Sequence, residues 1–393
     1  MLTVIKFGGS SLATAEKIYN AATIAAGHKN SGKDVVMVVS ARGKTTDELL
    51  NDAAQISDSP DPRELDVLLS TGEQVSMSLV AMRLNAMGVP AVSLCGWQAG
   101  VLTEDRHNMS RIIRIHTDRI REELAGGRIV VVAGFQGINS RCDITTIGRG
   151  GSDTSAVALA AALGADECLI YTDVDGVYSA DPNRIDDAVR HEALGYDEML
   201  EMASLGAGVL HNRSVELAKT KSVRLRVLSG ADSLGGTVIE PQPMEGSRVS
   251  GVICDQKTAL IEVYAHDTPN IPGILSLLAR EGICADMILC HGHRMGLTVG
   301  ADKIKATLGV LLANTDTLSL TSVTSDGNVA KLSLVGCGLC SDASVGARML
   351  AALRDRGIPV RSMVAAEIKI SVLIPLASAQ EASEAVHREF FGK

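Results

Sequence analysis

Apolar runs of four to six residues recur along the first 240 positions, at residues 2–6, 35–40, 129–134, 168–172 and 225–228. Short continuous runs of this kind predict strands buried on both faces. Between them, residues 15–26, 63–87 and 155–163 are alanine-rich or amphipathic at helical spacing. Strands alternating with helices predict an α/β fold, a mostly parallel sheet sandwiched by helices. In such a sheet ligands gather beyond the carboxyl ends of the strands. The helix near residue 62 has a legible start: Asp61 as cap, Pro62 at its first position and Glu64 where a capping-box carboxylate belongs. Its body carries Glu73.

After Gly235-Gly236-Thr237 the periodicity stops, and the polar, Pro- and Gly-bearing stretch from Glu240 to Ser247 reads as a linker. Met244 within it is a candidate internal start for a separate tail subunit. Beyond the linker a weak repeat aligns Arg280-Glu281-Gly282-Ile283 with Asp355-Arg356-Gly357-Ile358, each preceded by a strand, at residues 260–264 and 330–335. The expected division is a first domain over 1–240, a linker over 241–250, and two small α+β modules over 251–327 and 328–393.

A chain of 393 residues exceeds the size at which single cores stop growing, in keeping with several folding units. With 46% hydrophobic residues but only 3% aromatics, the core is expected to be aliphatic. The net charge of −9 is spread without a basic run, which argues against a nucleic-acid partner. No apolar stretch approaches the roughly 20 residues of a membrane span, and the N-terminus reads as a strand, so a cytoplasmic protein without a membrane partner is expected. Eight scattered cysteines, mostly among apolar neighbours, read as reduced core thiols. Cys290-His291-Gly292-His293 and Cys337-Gly338-Leu339-Cys340 lack the partner pair that zinc spacing demands, so no metal-ligating residues are assigned.

Four segments carry candidate chemistry. Lys6-Phe7-Gly8-Gly9-Ser10-Ser11 places a lysine and two permissive glycines where a strand turns into a helix. That suits a plain tight turn, or a phosphate whose oxygens backbone N–H groups approach and whose charge Lys6 neutralises. Gly148-Arg149-Gly150-Gly151-Ser152-Asp153 opens a second helix at residues 154–163. Arg149 has the fork to grip a carboxylate, while Asp153 either caps the helix or holds Lys6. In the segment from Ser40 to Asp47, Gly43-Lys44-Thr45 is not a Walker loop, because Val38 stands where its first glycine is needed. Its hydroxyls still suit a small polar substrate. Residues 172–184 mix turn formers with donors and acceptors after an apolar strand, fitting an adenosine or Mg2+ site or simply an acidic turn.

Together these segments resemble the aspartokinase branch of the amino-acid-kinase family over nearly the whole chain. Leu69-Ser70-Thr71-Gly72-Glu73, Gln98-Ala99-Gly100, Val132-Ala133-Gly134-Phe135-Gln136-Gly137 and Ile144-Thr145-Thr146-Ile147 add to the match. The resemblance implies the amino-acid-kinase fold followed by two ferredoxin-like ACT domains. It implies a kinase that transfers the γ-phosphoryl group of ATP, with Mg2+, to the side-chain carboxylate of L-aspartate. By the resemblance the product would be 4-phospho-L-aspartate, and the reaction the first step toward lysine, threonine and methionine. Lys6, Phe7, Gly8, Gly9, Gly150 and Gly151 would hold ATP, with Asp153 orienting Lys6; Ser40, Thr45, Glu73, Arg149 and Ser152 would bind aspartate. Thr172, Asp173, Tyr178, Asp181 and Arg184 would line the nucleotide site. The ACT modules imply an effector amino acid, lysine or threonine, and a homo-oligomer.

This chain departs from the family pattern in places. Gly208 stands where members carry a lysine that helps hold ATP phosphates, and Asn212 replaces a common proline. Loss of one positioned cation is expected to lower the rate by about 10²–10³. Arg213, Lys219 and Lys221 are candidate substitutes. Pro269-Asn270 and Ala343-Ser344 replace the Pro-Gly that opens each ACT helix, and Val364-Ala365-Ala366 replaces a Ser- and Thr-bearing stretch. Weakened or absent effector inhibition is therefore expected, with the modules serving as a dimer interface. Two other functional readings are a low-activity, amino-acid-sensing partner protein and a kinase for another amino acid.

Overall fold

The structure, a computed structural model, describes residues 1–206, 208–230, 235–241 and 248–392. It forms two compact units, one of residues 1–177 and 190–243, the other of 178–189 and 244–393.

In the first unit an eight-stranded sheet runs in the order Ala193–Leu194, Thr237–Ile239, Leu225–Ser229, Glu167–Thr172, Leu2–Phe7, Asp34–Val39, Ile129–Ala133, Ala91–Leu94. All neighbours pair parallel except Leu225–Ser229 with Thr237–Ile239. The five expected runs are the five central strands, and their aliphatic side chains are buried on both faces, as a sheet covered on both sides requires. Ile5, Phe7, Val35, Met37 and Val131 face the helices Ala15–Asn30 and Pro62–Ala86 through Ile18, Ala22, Met77, Val80 and Leu84. Because side chains alternate along a strand, Val4 and Lys6 face the other way, toward the helix Gly151–Leu163. That helix is apolar around its whole body, as a helix buried on the sheet must be. A smaller four-stranded sheet, Ile112–Ile115, Val101–Thr103, Gln136–Ile138, Ile144–Thr146, was not evident from the sequence, since three of its strands have only three residues.

Asp61 caps the Pro62–Ala86 helix by accepting from the N–H groups of Arg63 and Glu64. Glu64 does not close the expected capping box; its carboxylate pairs with Arg63 Nη1 at 2.5 Å.

The second unit holds two antiparallel four-stranded sheets. One follows the order Asp286–His291, Arg294–Gly300, Thr258–Ala265, Leu320–Asp326 and carries the helices Ile271–Arg280 and Ile304–Ala313, a complete β-α-β-β-α-β module. The other follows Arg248–Asp255, Val329–Cys337, Lys369–Pro375, Ser362–Ala366, with helices Ala343–Arg354 and Ala379–Phe391. Its outer strand Arg248–Asp255 precedes the first module in sequence, so the first module is an insertion into the second. This differs from the expected boundaries: the strand begins inside the segment read as linker, and residues 251–255 pair with Val329–Cys337 rather than within the first module. Residues 242–247 of that linker, Met244 included, lie outside the described residues.

No disulfide joins any of the cysteines among the described residues, yet Cys142, Cys284, Cys290 and Cys340 are exposed rather than in the core. Among the described residues no helix is long and apolar enough to cross a membrane, and no group of three or more His, Cys, Asp or Glu is gathered to hold a metal.

Candidate active site

The two glycine turns converge on one cavity of about 1120 Å³ in the first unit, whose wall includes Lys6, Gly9, Ser40, Glu73, Arg149–Asp153 and His211. It lies beyond the carboxyl ends of Leu2–Phe7 and Asp34–Val39, where an open parallel sheet binds its ligands.

Each turn requires glycine for a different reason. At Gly9 the backbone is ordinary, but a Cβ would meet Ala41 O at 2.6 Å; the turn is clamped to the Ser40–Gly43 loop, where Gly43 N–H donates to Gly9 O at 2.9 Å. Gly150 is left-handed, with φ 69°, and caps the Gly151–Leu163 helix. Asp153 is therefore not the cap. It sits in the first helical turn and makes an ion pair with Lys6, Oδ1 to Nζ 2.5 Å, without an aligned hydrogen bond. Lys6 and Asp153 are both largely buried, so the pair fixes the ammonium at the cavity wall. Gly8 keeps the space beside it clear, since a Cβ there would lie 3.4 Å from Lys6 Nζ.

Glu73 lies almost fully inside, 3% exposed. Its Oε1 accepts from Ala41 N–H at 2.9 Å, whereas Oε2 is buried with no partner among the described residues. Burial raises its pKa to about 8, against the opposing pull of the Ala41 N–H. A half-satisfied buried carboxylate on a cavity wall is complementary to an ammonium group. Arg149 is exposed on the same wall and has no ion-pair partner among the described residues. Ser40 and Ser152 also line the cavity. Thr45 does not: its methyl packs toward Gly72, and its neighbours Thr46 and Asp47 reach the wall instead.

The remaining expected nucleotide residues divide. Phe7 stacks on Tyr171, centroids 4.7 Å apart, and with Thr172 and Asp173 lines a second cavity of about 310 Å³ that also includes Ser10, Ser11, Lys17 and Asn20. Thr172 Oγ1 donates to Asp173 Oδ1 at 3.0 Å. Tyr178, Asp181 and Arg184 belong to the second unit, where Arg184 Nε pairs with Asp181 Oδ2 at 3.5 Å.

Gly208 has φ 70° and lines the large cavity with no side chain to offer. Two of its candidate substitutes are committed elsewhere: Arg213 donates to Ile147 O at 2.5 Å and Ser110 O at 3.2 Å, and Lys219 bonds Asp197 at 2.5 Å. Three lining residues went unrecognised in the sequence. Asn108 and Phe135 hold left-handed backbone, φ 65° and 68°, and Asn108 Oδ1 is buried without a partner. Such strain collects at functional sites. Asp66 holds Asn108 in place, both its carboxylate oxygens accepting from the Asn108 backbone N–H at 3.1 Å. The third is His211, at the start of the helix Asn212–Lys221. The Gly-Phe-Gln-Gly stretch at Phe135 and the segment around Gly208 that ends at His211 were noticed without either residue being given a role; Asn108 stands in ordinary polar sequence.

One cation fixed at a parallel sheet's carboxyl edge, with a second cation and a buried half-satisfied carboxylate on the same wall, fits the site of a small-molecule enzyme. The family model described as "Amino acid kinase family" matches residues 1–229, and one described as "ACT domain" matches residues 332–390. The chain is 44% identical to an aspartokinase of Bacillus sp. (strain MGA3), over 99% of this chain and 97% of that one. It is 43% identical to aspartokinase 2 of Bacillus subtilis (strain 168), with the same coverage. Among solved structures it superposes on E. coli aspartokinase III in complex with aspartate and ADP, with TM-score 0.83, 23% identity and full coverage of both chains, a likeness of fold. It also matches the aspartate kinase of Synechocystis, with TM-score 0.57 and 36% identity, over all of this chain and 70% of that one. The chain belongs to the amino acid kinase family, on its aspartokinase branch.

Proposed function

We propose that this chain is an aspartate kinase that transfers the γ-phosphoryl group of MgATP to the β-carboxylate of L-aspartate, in the cytoplasm, opening the route to lysine, threonine and methionine. The observation that carries the reading is Glu73 Oε2, buried without a partner on the same cavity wall as Lys6 and Arg149. An acidic amino acid supplies what that wall lacks: its ammonium meets Glu73, and a carboxylate meets the Arg149 fork. Ser40 and Ser152 add hydroxyls, and Thr45 acts through the loop that places Thr46. The nucleotide's phosphates lie along the Gly8-Gly9 and Gly150-Gly151 turns, against the Lys6 ammonium that Asp153 steadies. Its adenosine end extends toward Phe7, Thr172 and Asp173. Magnesium enters with the nucleotide, because an ion that keeps several waters and binds through phosphates needs no protein cage. Tyr178, Asp181 and Arg184 keep the nucleotide role implied by the resemblance; Asp181→Ala tests it through the KM for ATP.

No covalent intermediate is needed. A carboxylate oxygen attacks the γ-phosphorus in line, the bond to the β-γ bridging oxygen breaks, and ADP leaves. Hydroxamate detection of an acyl phosphate from aspartate, ATP and Mg2+ tests the reading, and folded protein that yields none refutes it. Glutamate and N-acetylglutamate run alongside separate a kinase for another amino acid.

Gly208 favours a second reading, a partner protein that binds both ligands and turns over little. Calorimetric binding of ATP and aspartate without product, with turnover gained in Gly208→Lys, would select it. For the domains, residues 1–240 form the kinase, and the two modules after it pair subunits into a homo-oligomer, which light scattering tests. Lysine or threonine, if bound, would occupy the cavity of about 580 Å³ lined by Glu262, Arg294, Thr298 and Arg361, where Thr298 Oγ1 is buried without a partner.

A further inference from the structure

The cationic side chains around the large cavity already have partners or tasks. Lys6 is tied to Asp153, Arg149 serves the substrate's carboxylate, and Gly208 brings no side chain. Arg213 and Lys219 are held by Ile147 O, Ser110 O and Asp197. Of the basic side chains on the cavity wall among the described residues, His211 is left.

Its ring is seated from two directions. One is the left-handed Gly150, where any side chain would run into the ring and Cβ of His211; the glycine turn and the imidazole fit against each other. The other is the first turn of the Asn212–Lys221 helix, where the Arg213 N–H is shared between Asn212 Oδ1 at 2.8 Å and His211 Nδ1 at 3.4 Å. A proton on Nδ1 would confront that donor, so the neutral ring carries its proton on Nε2. Burial, then Arg213, hold the ring's pKa below its ordinary value; Asp153 opposes this, and Arg149 adds to it. The same neighbours place the ring among the site's charged groups. Nε2 has no hydrogen-bond partner among the described residues, which leaves a fixed, unused N–H donor at the cavity wall.

We propose that His211 is an anion-binding residue of the phosphoryl-transfer centre, donating its Nε2–H to a terminal phosphate oxygen of the nucleotide in the place that Gly208 leaves without a side chain. The inference rests on the kinase reading above. A hydrogen bond to a charged group, made by a donor already oriented, stabilises both the bound phosphate and the charge that grows in transfer.

Two substitutions divide the ring's functions. His211→Asn keeps an acceptor at the helix cap and removes the distal donor; His211→Gln restores a donor at the distal position and gives up the cap. In His211→Asn, calorimetric affinity for MgATP and turnover are expected to fall roughly 10- to 100-fold, the range for one hydrogen bond to a charged group. Its KM for aspartate and its thermal midpoint are expected to hold. In His211→Gln the midpoint is expected to drop while MgATP affinity stays within about threefold of the parent. MgATP affinity in His211→Asn equal to the parent's overturns the proposal, as does equal loss in both variants. Because MgATP binding needs no turnover, a parent protein that binds MgATP but makes no acyl phosphate counts against the kinase reading alone.

Discussion

In the first unit the large cavity presents groups without partners among the described residues: one carboxylate oxygen of Glu73, Oδ1 of Asn108 and the guanidinium of Arg149. In the second unit the 580 Å³ cavity is also lined by charge, but there Arg294 meets Glu262 and Arg361 meets Asp326, and its buried unpartnered atom is a neutral hydroxyl on Thr298. Burying an unpaired polar group costs stability, so a fold keeps one only where something else satisfies it. The first cavity is shaped for a charged ligand to complete. The second is already nearly complete, its charged side chains paired with one another.

The largest expected effects test the incomplete side. Lys6→Ala and Arg149→Ala should each retain the fold and lose at least about 10² in kcat/KM, since each removes a charge that meets phosphoryl or carboxylate charge. Near-normal steady-state kinetics in either variant would erase the contrast between the cavities.

Glu73 sharpens it through protons. With its pKa at about 8 in the folded protein against an ordinary 4.5, the carboxyl is mostly protonated at pH 7 before ligand arrives. An ammonium beside it favours the ionised form, so aspartate binding at pH 7 should release about one proton, read by calorimetry in buffers of different ionisation enthalpy. The sign for stability follows. A pKa raised on folding gives a contribution that is full below about pH 4.5 and is lost as pH rises through about 8. Glu73→Gln should abolish the proton release, flatten that part of the ligand-free stability profile and weaken aspartate binding. A wild-type protein that releases no proton would show that Glu73 is ionised before ligand binds.

These contrasts were unequally legible in the sequence. The central strands, the two glycine turns and Arg149 were readable because each imposes a local pattern: a buried apolar run, a backbone that must pass close to another, a charge set beside such a turn; Glu73, in the middle of a helix, entered only through the family resemblance. The pairing of Arg248–Asp255 with Val329–Cys337 was not, because a short strand carries no mark of which sheet it joins. Asn108 and His211 were missed for a related reason: their roles come from tertiary neighbours, Asp66 and Gly150. The Gly-Ile repeat was readable and has a common cause. Gly282 and Gly357 are both left-handed, and the N–H of the isoleucine after each closes on a carbonyl in the preceding helix, Ile283 to Leu278 at 2.9 Å and Ile358 to Leu353 at 3.0 Å. Gly282→Ala and Gly357→Ala should each cost about 1 kcal/mol in chemical denaturation, left-handed strain partly offset by the stiffer unfolded chain, without changing kcat. Unequal costs would mean that the two modules' helix ends are not equivalent.

The smallest expected effect comes from the completed side. Arg361 Nη1 pairs with Asp326 Oδ2 across two partly exposed side chains, 42% and 31% accessible. Water competes for both ends, ions screen them, and holding the long arginine in one rotamer opposes the attraction. Asp326 also accepts the Asn328 N–H at 2.8 Å, so it is not left alone when the guanidinium goes. Arg361→Gln should therefore shift stability by less than about 1 kcal/mol, shrinking further with added salt, and leave aspartate turnover unchanged. A double-mutant cycle with Asp326→Asn reads the coupling directly. A coupling of several kcal/mol, or a fall in turnover, would mean that this pair behaves like the buried charges around Lys6, and the contrast between the two cavities would then be one of degree.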